Sequence, residues 1–357
     1  MNVLMIGVDK TSIGGMLTVA ENYLHSREFC QRTNLIYIPT VIRAGKLTKI
    51  ITFLKVLPKI AVTIYKKRID IVHIHMGERG SVFREGFVAW LAKRMGVRTV
   101  IHMHGATIEE WYDRQKRPVQ RIASYFFGQA DRMIVLGHAW VPFMERAMGK
   151  DKKQRIVVLH NAVSVRDKNE YHKDARNLLF YGVIVRRKGI DDLLRAFRTI
   201  ADDIPKEVML TIYGADLEHN IQEKIEKYHL EGRAVYLGWL SREDQEQCFA
   251  KTMLNILPSY NEGLPMTILE TMAYGIPNIS TDIAAIPEAV TDGINGRLVE
   301  PGEADQLAGA MKELILNSDL RERYSENAWK KIREEFSFKT HLSGLYRIYD
   351  ELIRQTG

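Results

Sequence analysis

Short apolar runs alternate with longer amphipathic segments along almost the whole chain, and this alternation leaves few folds open. In the first half the strand-like runs are Val3–Val8, Asn34–Ile38, Ile69–His75, Arg98–Met103, Arg132–Leu136 and Arg155–Leu159. Helix-period segments lie between them at Met16–Ser26, Lys46–Lys67, Phe83–Met95, Pro118–Gly128 and Ala139–Met148. Runs that are apolar on both faces suit parallel strands covered by helices on either side. Periodicity lapses over 161–174, where the chain turns polar, and then restarts. The second set of strands is expected at Leu178–Val183, Val208–Tyr213, Ala234–Leu237, Met253–Leu257 and Asn278–Ser280. Its helices are expected at Ile190–Ile200, Leu217–Tyr228, Arg242–Ala250, Pro265–Tyr274, Ala304–Leu316 and Asp319–Phe336, with a last one at His341–Arg354. At 357 residues the chain exceeds what one core usually supports. The expectation is α/β, with two doubly wound, Rossmann-like domains of similar size and a ligand cleft between them.

The charge is unevenly spread. Residues 1–168 carry 28 Lys and Arg against 13 Asp and Glu, whereas the remainder carries 23 against 31. A basic half suggests an anionic surface as partner, lipid or nucleic acid. Two distant cysteines, Cys30 and Cys248, give neither a disulfide framework nor a metal spacing, which favours a reducing compartment. The start, Met1–Asp9, reads as a first strand, and no apolar run approaches the length of a membrane span.

Candidate chemistry concentrates in Pro258-Ser-Tyr-Asn-Glu-Gly-Leu-Pro-Met-Thr-Ile-Leu-Glu270. A buried strand precedes it, Glu262 sits in its Gly/Pro loop, and Pro265 is placed to open a helix that carries Glu270. A helix start offers free N–H groups and a positive dipole end to an anion. Two acids beside such a site suit a ligand bearing both phosphates and hydroxyls, as a nucleotide sugar does. The same acids would also suit a helix start with no ligand. Gly14–Gly15 follows the first strand and lets backbone amides approach a pyrophosphate, or is an ordinary turn. Arg187-Lys188-Gly189 places two cations at a strand tip, for a diphosphate or simply for solvent. No Asp-x-Asp or paired His/carboxylate cluster stands near these positions, so a divalent metal is not implied, and no cofactor is expected.

With these motifs in order, the chain resembles the retaining glycosyltransferases of the GT-B fold, family 4. The blocks that carry the resemblance are Glu262-Gly-Leu-Pro through Glu270, Met272-Ala-Tyr-Gly-Ile-Pro277, Ile286-Pro-Glu288 and Asp292-Gly-Ile-Asn-Gly296. Val72-His-Ile-His75, Ser81, Arg84 and His102-Met-His-Gly105 further resemble members that build bacterial surface polysaccharides. The resemblance implies an acceptor domain over 1–168, a nucleotide-sugar domain over 169–337, and a last helix, 338–357, crossing back to the first. It implies that Glu270 holds the ribose, that Glu262 faces the transferred sugar, and that the backbone of Gly263, Leu264, Pro265, Met266 and Thr267 reaches the distal phosphate. Arg187, Lys188 and the Gly14–Gly15 amides would neutralise the leaving diphosphate in place of a metal, and His104 would stand near the anomeric carbon. His73 and His102 read as structural. One departure is Val183, where many relatives carry a basic residue.

The expected reaction is transfer of a sugar from UDP or GDP to a hydroxyl of a lipid-linked glycan, with retention, in bacterial polysaccharide synthesis. The expected location is cytoplasmic, on the inner face of the membrane. The segment from Lys46 to Arg68 holds seven cations and no acid, fits an anionic bilayer, and is expected to be split into two helical pieces by Pro58. Two rivals remain. One is a sugar-nucleotide epimerase of the same shape, against which the Glu262–Glu270 block argues. The other is a nucleic-acid binder, against which the aliphatic character of that basic segment argues, so no nucleic-acid partner is expected.

Overall fold

The computed structural model describes residues 1–12 and 14–354. The chain forms two compact units, Met1–Asn161 with Lys339–Gly357, and Ala162–Phe338.

The first unit is built on β1 (Val3–Val8), β2 (Ile36–Val41), β3 (Ile71–Met76), β4 (Arg98–Met103), β5 (Arg132–Val135) and β6 (Ile156–Val158). All pair in parallel, in the order β2-β1-β3-β4-β5-β6. Every residue of β3 is buried, as a central strand covered on both faces requires. The chain leaves β1 in one direction and returns to β3 on the other side, so the topological switch lies between them. Doubly wound sheets bind ligands at that point, beyond the carboxyl ends of the strands.

The second unit holds β7 (Asn177–Tyr181), β8 (Met209–Tyr213), β9 (Ala234–Tyr236), β10 (Thr252–Leu257), β11 (Asn278–Thr281) and β12 (Gly296–Val299). Its parallel order is β12-β11-β10-β7-β8-β9, which puts the switch between β7 and β10. β10 is wholly buried.

Three local expectations are corrected. The break at Pro58 is absent, because Lys46–Lys66 is one helix with Pro58 inside it. Pro58 and Leu54 both lie on the exposed face, so the carbonyl that loses its N–H partner can turn to water. The second strand begins at Ile36 rather than Asn34, because Asn34 takes a left-handed φ of 40° and caps the helix Arg27–Thr33. The helix expected from Leu217 begins at Ile221. Asp216 instead accepts from the amides of Glu218, His219 and Ile221 at 2.9–3.1 Å, which holds the preceding turn open.

The last helix, Phe338–Arg354, packs on the sheet of the first unit through buried Leu345, Tyr349 and Leu352. The phenol of Tyr349 lies 2.5 Å from Nδ1 of His73. His341 donates from Nδ1 to the His160 carbonyl at 2.7 Å and is also hydrogen-bonded to the Tyr23 hydroxyl.

Candidate functional site

In the second unit the switch between β7 and β10 gathers the charged motifs that lie far apart in sequence. β7 ends at Tyr181, and a short 3-10 turn, Arg186–Lys188, follows it. Gly189 then takes φ +71°, and a Cβ there would lie 1.9 Å from the carbonyl oxygen of Pro258. Only glycine admits this approach, and it brings the turn against the loop leaving β10. The amide of Tyr260 donates to the Arg187 carbonyl at 2.7 Å, and the Arg187 guanidinium donates to the Asn261 carbonyl at 2.9 Å.

The carboxylate of Glu262 is 5% exposed and is met by two partners, both on Oε1. The Lys188 ammonium forms an ion pair with it, and the Ser259 hydroxyl donates to it at 2.7 Å. Oε2 has no hydrogen-bond partner among the described residues. Buried hydroxyls behind the loop hold it in place. Thr281 Oγ1 donates to the Ser259 carbonyl at 2.6 Å, and Ser280 Oγ to that of Leu257 at 2.7 Å. Both hydroxyls come from β11, so the sheet itself fixes where Glu262 stands.

Pro265 is the N-cap of the helix Met266–Ala273, so the helix begins one position later than expected. Gly263, Leu264, Pro265 and Met266 are all buried, and the Gly263 carbonyl accepts from the Ala285 amide at 3.2 Å. First-turn amides lack intrahelical acceptors. Beside them the Thr267 hydroxyl is buried with no hydrogen-bond partner. Together they form a donor-rich helix start suited to an anion.

Glu270 sits one turn further on, half-buried. Burial pushes its carboxyl up to about 7, against the smaller opposing effects of a Tyr181 hydrogen bond and the Arg242 charge. Tyr181 is itself oriented by Gln245, which donates to its oxygen at 2.7 Å.

In the first unit, Gly14 follows β1 with φ +116° and open space where a Cβ would point, and Gly15 begins the helix Gly15–His25. His104 directly follows β4, its amide bonded to the Met76 carbonyl at 2.8 Å. Its Nε2 lies 2.8 Å from Nδ1 of His75. Burial and its histidine neighbours lower the basicity of His104 well below the ordinary value. The expected site residues thus divide between the two units. Arg187, Lys188, Gly263–Thr267, Glu262 and Glu270 surround the switch of the second. Gly14, Gly15 and His104 lie at the strand ends of the first.

Sequence reading missed three supporting residues. Ser259 had a signal, since a hydroxyl three positions before a loop acid is a common partner for it. Tyr181 and Gln245 had none, since Tyr181 meets Glu270 only through the pairing of distant strands and Gln245 meets Tyr181 from a separate helix. Ser81 and Arg84, noted for their resemblance to the family, both bond Glu85, at 2.7 and 2.8 Å. Glu85 is buried and also accepts from Thr40 at 2.7 Å, so this trio braces β2 against the helix Gly80–Arg94.

Two family models match the chain. Residues 164–331 match the glycosyl transferases group 1, and residues 31–162 match the glycosyl transferase 4-like domain. Between them they cover all but the two ends and residue 163, and the chain belongs to the group 1 (GT4) glycosyltransferases. It is therefore a glycosyltransferase with the GT-B fold.

It is similar to an uncharacterized 41.2 kDa protein in the cps region of Klebsiella pneumoniae, 24% identical over 98% of this chain and 100% of the relative. The capsular polysaccharide biosynthesis glycosyltransferase CapM of Staphylococcus aureus is 25% identical over 52% of this chain and 50% of its own. Among solved structures, Anabaena HepE in complex with UDP-glucose superposes with a TM-score of 0.78. That match covers 98% of this chain and 100% of HepE at 17% identity, a likeness of fold.

Proposed function

We propose that the protein transfers a sugar from a nucleoside diphosphate sugar to a hydroxyl of a lipid-linked glycan, with retention, in bacterial polysaccharide synthesis. The observation that carries the reading is the arrangement at the β7/β10 switch. It combines a lysine-paired acid with one free oxygen, a donor-rich helix start and a second acid one turn along. Phosphates fit the helix start and Arg187. Vicinal ribose hydroxyls fit Glu270, and sugar hydroxyls fit Oε2 of Glu262. The name of CapM and the UDP-glucose bound to HepE support the polysaccharide and the nucleotide parts of the reading.

The leaving group is a nucleoside diphosphate, so the main catalytic task is to stabilise its developing charge. Arg187, Lys188 and the helix at Met266 take that task without a metal. Lys188 also holds Glu262, so its ammonium answers the acid and the departing phosphate together. A single carboxylate at the sugar, fixed by Lys188 and Ser259, is a binding group and not half of a hydrolase pair. Retention then calls for attack on the face from which the diphosphate departs, with a phosphate oxygen accepting the acceptor's proton. His104, at the end of β4, offers the first unit's polar group for a sugar hydroxyl.

Thermal denaturation with UDP, GDP and ADP tests the donor site. A ligand at a hundred times its dissociation constant adds about 2.7 kcal/mol. One diphosphate should stabilise the wild type and fail to stabilise Glu270→Ala. Stabilisation by none of the three, with or without acidic vesicles, would refute the reading.

The acceptor part rests on the helix Lys46–Lys66. Leu47, Ile50, Leu54, Val62 and Tyr65 are exposed on it by half or more, among lysines and with no acid. Such a surface suits the interface of an anionic bilayer at the inner face of the membrane. No helix among the described residues is long and apolar enough to cross a membrane. Flotation with vesicles containing acidic lipid should carry the protein. Neutralising Lys49, Lys55 and Lys59 together should release it, since each surface cation contributes about 1 kcal/mol. Unchanged flotation would exclude this helix as the contact.

A further inference from the structure

Five histidines and two tyrosines line one face of the first unit's sheet. His73 and His75 point the same way along β3, and β4 places His102 directly beside His75. Tyr23, His341 and Tyr349 come from the covering helices. Ring nitrogens of His73, His75 and His102 lie within 4.8 Å of one another, which invites a metal. No carboxylate among the described residues joins that group, and Nδ1 of both His73 and His75 already has a hydrogen-bond partner. A dication there would be buried without countercharge, at a cost that three neutral imidazoles do not offset. The trio is therefore no metal site, and its hydrogen bonds instead fix where ring protons sit.

His75 is 1% exposed and its Nε2 is buried with no partner among the described residues, while its Nδ1 lies 2.8 Å from Nε2 of His104. A neutral imidazole has one N–H and one lone pair. The proton can sit on Nε2 of His75, leaving a buried donor unmet, or on Nδ1, leaving only a lone pair unmet. Orphaned N–H groups are the rarer and costlier of the two in protein interiors. With the proton on Nδ1, His75 donates to Nε2 of His104. The only proton of neutral His104 must then lie on its Nδ1, which has no hydrogen-bond partner among the described residues.

We propose that His75 is a positioning residue that fixes the tautomer of His104, so that His104 presents an Nδ1–H donor to the substrate rather than a base. This inference rests on the transferase reading for what His104 faces, though not for the tautomer itself. As a donor, His104 would hold a sugar hydroxyl or a phosphate oxygen and take no proton during the reaction. That leaves the acceptor's proton to the departing phosphate.

The test is nitrogen NMR of the full chain with 15N-labelled histidine, using multiple-bond correlations that read each ring's tautomer, at neutral pH and without ligand. Wild type should show His104 protonated on Nδ1 only. In His75→Asn the side-chain amide can still donate from near the Nδ1 position, and the His104 pattern should persist. In His75→Leu it should collapse to a mixture of tautomers. A wild-type His104 protonated on Nε2 would overturn the proposal, and so would identical His104 patterns in the Leu and Asn variants. The nucleotide stabilisation experiment fails or succeeds independently, so a wrong transferase reading and a wrong tautomer are told apart.

Discussion

Glu270→Gln should make the unliganded protein more stable at pH 8 while costing it nucleotide affinity. The carboxyl of Glu270 is pushed up to about 7 from an ordinary 4.5, mainly by burial. Below pH 4.5 both folded and unfolded chains keep this proton, and the acid costs nothing. Between 4.5 and 7 the unfolded chain releases it and the folded chain does not, so stability falls as pH rises. Above 7 the folded protein carries a desolvated charge, and the loss is complete. At about 1.4 kcal/mol per pH unit the full cost is on the order of 3 kcal/mol. Glutamine has nearly the same shape and does not titrate. Its gain over wild type should therefore grow by roughly 2 to 3 kcal/mol between pH 5 and pH 8. Thermal or urea unfolding of both proteins at the two pH values measures this. The double difference removes any constant offset from the altered Tyr181 contact. A gain that does not change with pH would refute the argument, because it would mean that Glu270 is ionised in the folded protein at both pH values.

Three further outcomes follow from the same geometry. If ribose hydroxyls donate to Glu270 they favour its charged form, so binding of the stabilising nucleoside diphosphate near pH 6.5 should release roughly three-quarters of a proton from it, beyond what the phosphate itself releases. Calorimetry in buffers of different ionisation heat reads this, and no release would separate Glu270 from the nucleotide. Gly189→Ala adds a left-handed penalty of about 1 to 2 kcal/mol to a backbone collision with Pro258, and should lower the melting temperature and abolish nucleotide stabilisation together. A variant that keeps both would mean the two loops need not meet. Ser259→Ala removes one donor from a buried carboxylate and should cost roughly 1.5 to 3 kcal/mol in unfolding experiments. A change under half a kcal/mol would show that Lys188 alone satisfies Glu262.

Alternation of apolar runs with helix-period segments was enough to reveal two parallel α/β sheets, because strands buried on both faces have no other reading. The order of strands within each sheet was not legible, since pairing is decided by contacts between distant segments. Boundaries slipped where a side chain took over from the backbone, at Asn34 and at Asp216. Pro58 misled because the rule against proline inside helices assumes a carbonyl with nowhere to turn, and here that face meets water. The loop and helix around Glu262 were legible because glycine, proline and acids fall within thirteen residues. The grip on Glu262 was not, since Lys188 is distant in the chain and reaches the acid only through the approach of Gly189 to Pro258.

The two carboxylates of that motif are treated in opposite ways, and the difference bears on their order of action. Glu262 has a cation and a hydroxyl beside it before any ligand arrives. Glu270 has a phenol and the charge of Arg242, which do not offset its burial. A group that is compensated in the empty protein is held in place and can orient what reaches it. A group that is not compensated gains most when a ligand brings hydroxyl donors, so part of the nucleotide's binding energy goes into ionising it. Stability given up at Glu270 in the empty state is then recovered on binding, which makes the second unit's affinity rise with pH up to about 7. An affinity for the nucleoside diphosphate that is flat from pH 5.5 to 8, after allowance for the phosphate's own titration, would break this link between the buried acid and the ligand.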